Sequence, residues 1–220
     1  MIKAIIYDMD DLMVNSDGLH DEATLLTLRQ AGYDLPVMSE DIRRDSLGRR
    51  VIDILQSMIE QFHWPTTAEE LDRQRQPIFL NLVRAKLQAM PGLHESLKLF
   101  KDAGYKIALA SSGVREYIEI VLDKFKVREY FDVIVAGDEV VSGKPDPEIY
   151  TQAVTKLGLK PYECLVLEDA DHGIQAAKAA GCKCIAIKNP YTASQTHAGA
   201  DLVLNSLNEI TVATIARLPE

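Results

Sequence analysis

The first predicted strand, Ala4–Asp8, brings two carboxyl side chains, Asp8 and Asp10, to the same side of the chain. Acidic residues that follow a strand are commonly turn residues or helix N-caps. Two close carboxylates also repel each other unless a cation neutralises them. Mg²⁺ can do this with one or two carboxylates while it keeps phosphate oxygens as further ligands. The pair alone leaves both interpretations open.

Polar residues also follow three later predicted strands. Ser111 and Ser112 open a helix, where hydroxyls and free backbone N–H groups suit either a phosphoryl group or an ordinary N-cap. Lys144 lies in a loop that two prolines stiffen, although a lone loop lysine is usually a surface residue. Glu168 and Asp169 end an apolar run and could serve as an N-cap or as metal ligands.

The polar residues at these four strand ends, taken together, favour a catalytic site over a set of helix N-caps. Parallel strands present their carboxyl ends to one crevice, so these side chains are expected to meet there. Together they supply a nucleophile, a proton carrier, oxygen donors, a cation and a seat for a metal, which phosphoryl transfer requires. Four coincident N-caps would leave Lys144 unexplained. The pattern therefore predicts an Mg²⁺-dependent site for phosphoryl transfer.

The sequence resembles the haloacid dehalogenase superfamily, and within it the β-phosphoglucomutases and small sugar-phosphate phosphatases. The resemblance covers nearly the whole chain. Four motifs occur in the family's order and with matching spacing: DMDDLMVNS at 8–16, ALASS at 108–112, GKPDP at 143–147 and EDADHGIQAA at 168–177.

The resemblance implies a role for each matching residue. Asp8 would be the nucleophile that becomes an aspartyl phosphate, and Asp10 the general acid and then the base. Ser111, Ser112 and Lys144 would bind the transferring phosphoryl group. The Mg²⁺ ligands would be Asp8, Asp10 through its backbone carbonyl, Glu168 and Asp169.

Two residues depart from the family pattern, and two others are weaker candidates. Asp11 stands where the family usually has glycine, and Asn15 stands where it usually has aspartate. Arg49 lies where relatives reach the substrate from the cap, although a solvated helix start is an equal alternative. His20 matches a histidine near the acid–base aspartate in mutase-like relatives, although a structural role is the alternative.

The elements that must position these residues follow from the hydrophobic pattern. Short apolar strands alternate with helices, which predicts a doubly wound parallel α/β sheet of the Rossmann-like type. Residues 16–87 contain helical patterns without a convincing strand, with helices expected at Leu19–Ala31, Arg49–Phe62 and Glu69–Leu87. We therefore expect a catalytic core of residues 1–15 and 88–220 with an inserted small helical cap of residues 16–87.

Composition narrows the choice of partners and location. The net charge of −9 and the pI near 5.1 argue against a nucleic acid partner, which requires a basic surface. Three cysteines do not suggest a disulfide framework. With no signal peptide pattern and no apolar run of membrane-spanning length, we expect a cytoplasmic protein without a membrane partner, as a monomer or weak homodimer.

The leading functional prediction is a phosphatase for a small phosphorylated metabolite, with a sugar phosphate as the expected class. A β-phosphoglucomutase needs the same residues and differs in whether water or a bound sugar phosphate accepts the phosphoryl group. A haloacid dehalogenase uses one aspartate without metal, so Asp10, Glu168 and Asp169 argue against it. A catalytically silent binding protein would be expected to lack Asp8 or Lys144.

Overall fold

The computed structural model describes residues 1–33, 46–190 and 194–218. Six parallel strands form one sheet in the order β3-β2-β1-β4-β5-β6. This confirms the predicted doubly wound α/β fold. The strands are β1 Ala4–Tyr7, β2 Lys106–Ser111, β3 Val133–Ala136, β4 Cys164–Glu168, β5 Lys183–Ile187 and β6 Leu202–Leu204.

Helices precede, connect and cover these strands. Within the described ranges, no helix is long and apolar enough to cross a membrane. The helices are α1 Asp17–Gln30, α2 Val51–Phe62, α3 Ala68–Lys86, α4 Leu93–Asp102, α5 Arg115–Phe125, α6 Glu148–Leu157, α7 Asp171–Ala179 and α8 Val212–Ala216.

The central strand β1 is buried on both faces, because helices cover both sides of the sheet. Successive side chains of a strand point to opposite faces. Ile5 and Tyr7 accordingly belong to one apolar core, with α4 and α5, whereas Ala4 and Ile6 belong to the other, with α6 and α7. A strand covered on both faces reads as a continuous apolar run, which is why the sequence pattern located it.

Helices α1 to α3 lie between β1 and α4, and no strand occurs there among the residues that the structure describes. They share a small apolar cluster of their own that includes Leu28, Leu55 and Met58. Phe79 and Val83 of α3 pack instead into the core on one face of the sheet. Of the predicted cap, residues 34–45 lie outside the described residues.

The two chain segments that enter and leave these helices run side by side. Val14 pairs with Ala89 in an antiparallel bridge, and Met90 N donates to Met13 O at 2.8 Å. Asn15 strengthens the pairing, because its N donates to Gln88 O at 3.1 Å and its Oδ1 accepts from Gln88 N at 3.0 Å. The residue that departs from the family pattern thus ties the two linkers together.

The elements predicted for the first strand and the cap are present, with ends that shift by one or two residues. Strand β1 ends at Tyr7 and not at Asp8. The predicted helices Leu19–Ala31, Arg49–Phe62 and Glu69–Leu87 correspond to α1, α2 and α3. Helix α2 begins two residues later than predicted, because Arg50 has the extended backbone of an N-cap.

Gly137, which follows β3, offers a test of how closely the loops at this edge of the sheet pack. An added Cβ at Gly137 would lie 2.1 Å from the backbone oxygen of Ser112. Gly137→Ala should therefore lower the free energy of unfolding by about 1–3 kcal/mol, the usual cost of overpacking, as measured by urea denaturation. Gly18→Ala is the matched control, because no residue of the described ranges lies within 4 Å of its added Cβ. In helix α1, that change should leave stability equal or raise it by about 0.5–1 kcal/mol. Equal stability of the two variants would contradict the close approach.

Candidate active site

The carboxyl end of β1 places Asp8 beside Lys144, although 136 positions separate them in the chain. The Lys144 ammonium lies 2.5 Å from Asp8 Oδ1 and 2.6 Å from Glu168 Oε1. Lys144 is only 2% exposed, and burial lowers its pKa less than the two carboxylates raise it, so the pKa lies above its ordinary value. The predicted loop lysine is therefore a buried cation and not a surface residue.

Glu168 holds this lysine in place, because both of its carboxylate oxygens already accept hydrogen bonds. Oε1 accepts from Lys144 and from the Tyr150 hydroxyl at 2.6 Å. Oε2 accepts from the backbone N of Asp169 at 2.9 Å and of Ala170 at 3.2 Å. Gly173 makes room for the carboxylate, since a Cβ there would lie 1.7 Å from Oε1.

The carboxylates of Asp8, Glu168 and Asp169 could hold a metal ion, because each offers an oxygen within 4.8 Å of the others. Burial and nearby carboxylates raise the pKa of Asp8 to about 8, although Lys144 opposes the shift. Burial together with Glu168, Asp11 and Asp8 raises the pKa of Asp169 well above its ordinary value. One lysine does not neutralise three buried acids, and an all-oxygen site of this charge suits a hard divalent cation.

Asp10 lies two residues after Asp8 and accepts several hydrogen bonds. Its Oδ1 accepts from Ser16 Oγ at 2.6 Å and from the Tyr117 hydroxyl at 2.7 Å, and its Oδ2 lies 3.4 Å from Ser111 Oγ. Burial would raise the pKa of Asp10, but His20, Ser16 and Tyr117 together hold it below its ordinary value. Asp10 is therefore ionised in this arrangement.

His20 approaches Asp10 with one ring nitrogen. The contact at its other ring nitrogen determines which of the two carries the proton. Arg75 Nη2 lies 2.8 Å from His20 Nδ1, and a guanidinium can only donate, so Nδ1 accepts. The proton of the neutral ring must then be on Nε2, which lies 3.5 Å from Asp10 Oδ1. The structure thus brings the predicted residue His20 to the acid–base candidate.

The two serines after β2 have different partners. Ser111 is buried, and its hydroxyl lies between Asp10 and the backbone N of Gly113, which donates to it at 3.0 Å. Ser112 Oγ donates to the backbone oxygen of Gly48 at 2.9 Å. The Ser112 hydroxyl therefore joins the sheet edge to the helical segment in this conformation, and Ser111 faces the carboxylates.

Arg49 and Arg50 also differ in position. Arg50 pairs with Asp53 at 2.8 Å and donates to Val140 O at 3.2 Å, so it connects α2 to the loop after β3. Arg49 lines a cavity of about 90 Å³ that also contains Asp8, Asp10 and Asp169. Its Nη2 lies 3.2 Å from Ser57 Oγ. Of the two arginines, Arg49 is the one that reaches the candidate site.

Comparison with known proteins decides the family. Residues 5–187 match the haloacid dehalogenase-like hydrolases. The chain belongs to this family.

Its relatives within the family include phosphatases of similar length. The chain is 32% identical to hexitol phosphatase B of Escherichia coli over 213 residues, which is 96% of this chain and 95% of that protein. The crystal structure of CbbY from Rhodobacter sphaeroides in complex with phosphate superposes with a TM-score of 0.88 at 30% identity, covering 98% of this chain and all of CbbY. The chain is accordingly a phosphatase of the haloacid dehalogenase type.

Asp11 shows how this family member accommodates an acid where glycine is usual. Its φ of 57° is a left-handed conformation that favours glycine. The side chain compensates, because Oδ1 accepts from the backbone N of Ser16 at 3.0 Å and of Asp17 at 3.2 Å at the start of α1. Burial, with the nearby charges of Asp17 and Asp10, raises the pKa of Asp11 well above its ordinary value.

Several residues of the site carried no signal in the sequence. Tyr117, Tyr150 and Arg75 lie inside helices at positions that no motif marks. Asn189 Nδ2 donates to Asp169 Oδ2 at 3.1 Å and to Asp11 O at 2.8 Å, from a loop without a motif. His197 Nε2 lies 2.9 Å from Asp169 O on the same loop.

The buried carboxyl of Asp11 predicts a pH-dependent effect on stability. Because its folded pKa is raised above the unfolded value of 3.8, its contribution to stability is fully present below that value and is lost as pH rises through the folded pKa. Asp11→Asn keeps the oxygen acceptor and removes the charge. In chelator, it should raise the free energy of unfolding by on the order of 1 kcal/mol at pH 8, and by much less at pH 4.5. Urea denaturation at both pH values checks this. The exposed Asp102→Asn should show little difference, and a pH-independent gain in Asp11→Asn would contradict the buried charge.

Proposed function

We propose that this protein is an Mg²⁺-dependent phosphatase that hydrolyses a small phosphorylated metabolite, a sugar or polyol phosphate, through an aspartyl phosphate on Asp8. The observation that carries the proposal is the placement of Asp8 against the buried Lys144, with Asp169 and Asp10 beside it in one cavity. The named activity of hexitol phosphatase B supports the substrate class.

The first half-reaction starts at Asp8. One of its oxygens attacks phosphorus, the bond to the leaving oxygen breaks, and an aspartyl phosphate forms. Lys144 offsets negative charge on the transferring group, and Glu168 keeps the lysine aimed at Asp8. The Ser111 hydroxyl binds a phosphoryl oxygen, with the Ser112 hydroxyl available when the cap moves away.

Asp10 transfers the protons. In its ionised form it can accept the proton of the water that attacks the aspartyl phosphate, as a general base. It must first be protonated to act as the general acid for the leaving oxygen. A substrate that displaces one of the donors on Asp10 would raise the pKa of this carboxyl and favour that form.

The residues present fit a magnesium site. Asp8, Asp169 and the Asp10 carbonyl would hold the ion, with Glu168 close by. When bound, Mg²⁺ would neutralise the carboxylates and stabilise charge on the transferring phosphoryl group.

The chain division proposed for this mechanism is a core of residues 1–15 and 88–220 and a cap of residues 16–87. The paired linkers at Val14 and Ala89 support a hinge at this point. Cap closure would exclude bulk water and bring Arg49 onto the non-reacting part of the substrate.

Replacement of the nucleophile tests the mechanism directly. Asp8→Asn removes the charged oxygen and cannot form the acyl phosphate, so kcat on a phosphate monoester should fall by at least about 10³-fold. Phosphate release and formation of an isomeric sugar phosphate should both be followed, because isomer formation would identify a mutase. Asp102→Asn serves as the control and should retain wild-type turnover. Substantial turnover by folded Asp8→Asn would exclude the covalent mechanism.

Metal removal should abolish activity and change stability in a pH-dependent way. EDTA should stop phosphate release and Mg²⁺ should restore it, whereas Ca²⁺ should substitute poorly because it prefers more ligands at longer distances. Without metal, the pKa of Asp8 in the folded protein is about 8, above its unfolded value of 3.8. The contribution of Asp8 to the free energy of unfolding therefore declines as pH rises from 3.8 towards 8. Mg²⁺ must displace the proton that Asp8 holds at lower pH. The increase in Tm that Mg²⁺ causes should therefore be larger at pH 8.5 than at pH 6. Full activity in excess EDTA would contradict the metal site.

A further inference from the structure

Two cavities adjoin at the candidate site, and the smaller one contains the nucleophile. The cavity with Asp8 measures about 90 Å³, below the range of roughly 300–1,000 Å³ that is usual for small-molecule sites. A second cavity of about 340 Å³ lies next to it and shares His20, Val51 and Arg75 in its lining. The phosphoryl group fits at Asp8, but the rest of a metabolite needs more room than the first cavity provides.

Arg75 of α3 lies between the two cavities with part of its guanidinium unused. The side chain is 3% exposed. Its Nε donates to Thr24 Oγ1 at 2.9 Å, and its Nη2 contacts Nδ1 and the backbone oxygen of His20. Within the described part of the chain, Nη1 makes no hydrogen bond or ion pair. A buried donor without a partner is costly, so Nη1 indicates a ligand atom.

The second cavity offers a donor and an acceptor on one helix face. Asp72, Arg75 and Gln76 are spaced i, i+3 and i+4 on α3, and all three line it. Apolar walls come from Phe79, Val114 and other residues around them. A hydroxyl both donates and accepts, so a chain of hydroxyl groups matches this lining.

We propose that the second cavity binds the hydroxylated leaving group of the substrate, and that Arg75 Nη1 and the Asp72 carboxyl are hydrogen-bonding specificity residues for a sugar or polyol monophosphate. The inference rests on the proposed phosphatase activity at Asp8.

The same geometry disfavours a second phosphate in this cavity. A phosphate dianion is best bound by a guanidinium that presents two parallel N–H groups. Arg75 already uses Nε and Nη2 on Thr24 and His20, which leaves one nitrogen. Arg50 also lines this cavity, but its three guanidinium nitrogens already donate to Asp53 and to Val140 O. The Asp72 carboxyl would also have to repel the dianion or take up a proton.

Kinetics of Arg75→Gln on substrates of different length tests the proposal. The substrates are sorbitol 6-phosphate, fructose 6-phosphate, fructose 1,6-bisphosphate and acetyl phosphate, which is too short to enter the second cavity. The ratio of kcat/KM for sorbitol 6-phosphate to that for acetyl phosphate should fall by about 10- to 100-fold, the usual effect of losing a hydrogen bond to a charged group. Arg75→Lys should recover part of this ratio.

Arg73→Gln is the matched control, because Arg73 lies two residues away, is exposed and pairs with Glu70. The kcat/KM values of this variant for sorbitol 6-phosphate and for acetyl phosphate should both stay at the wild-type level.

Several results would overturn the proposal. An equal loss on both substrates would show that Arg75 acts only through His20 and Asp10. The hydroxylated substrate class would be excluded if the wild-type protein hydrolysed acetyl phosphate but showed no preference for sorbitol 6-phosphate or fructose 6-phosphate. That result would leave the phosphatase assignment intact. No phosphate release from any substrate with Mg²⁺ would remove the phosphatase assignment itself, and this inference with it.

Asp72→Asn provides a second test if Arg75→Gln does not fold. The half-buried Asp72 makes no ion pair within 4.0 Å in the described ranges, so an amide should be tolerated there. The variant should lower the preference for fructose 6-phosphate over fructose 1,6-bisphosphate by about 10-fold, because it removes the group that disfavours a second phosphate. An unchanged preference would contradict the assigned role of Asp72.

Discussion

The ion pairs of Lys144 with Asp8 and Glu168 are the interaction on which the site depends. Buried charged groups are tolerated only when each finds a partner of opposite charge and further hydrogen bonds. Tyr150 and two backbone N–H groups complete the bonding of Glu168, so the lysine is fixed from behind. Removing Lys144 would leave two buried carboxylates without their shared cation, so β1, β4 and the loop of Lys144 must meet at one point.

This arrangement also explains how an acidic protein can take an anionic substrate. The chain carries a net charge of −9, and six aspartates line the cavity, so binding of an anion depends on the proposed Mg²⁺ and on three cationic side chains placed near the nucleophile. Lys144 comes from the sheet edge, and Arg49 and Arg75 come from the helical segment. Local charge in a low-dielectric cavity acts more strongly than the distant, screened surface charge.

The helical segment is attached to the sheet edge by its own set of contacts. Ser112 donates to Gly48 O, Arg50 donates to Val140 O, and His172 contacts Leu47 O. These contacts fix the backbone on both sides of Arg49, so its position over the cavity follows from the docking of its neighbours. The hydrogen bonds from Arg75 through His20 to Asp10 make a second connection, which joins the cavity proposed for the leaving group to the proposed proton-transfer residue.

The sequence by itself determined the sheet, the helical insertion and the residues at the strand ends. Strands buried on both faces have a continuous apolar pattern, and parallel strands must present Asp8, Ser111 and Asp169 at one edge. Only the tertiary structure decided which side chains surround them. Tyr117 reaches Asp10 across 107 positions and Asn189 reaches Asp11 across 178. Such contacts depend on how helices and loops pack over the sheet, and no local periodicity or motif encodes that packing. The packing of helices and loops also gives Ser111 and Ser112 different hydrogen-bond partners. It buries Arg75 between two cavities, whereas Arg73, which has the same charge and lies on the same helix, is exposed to solvent.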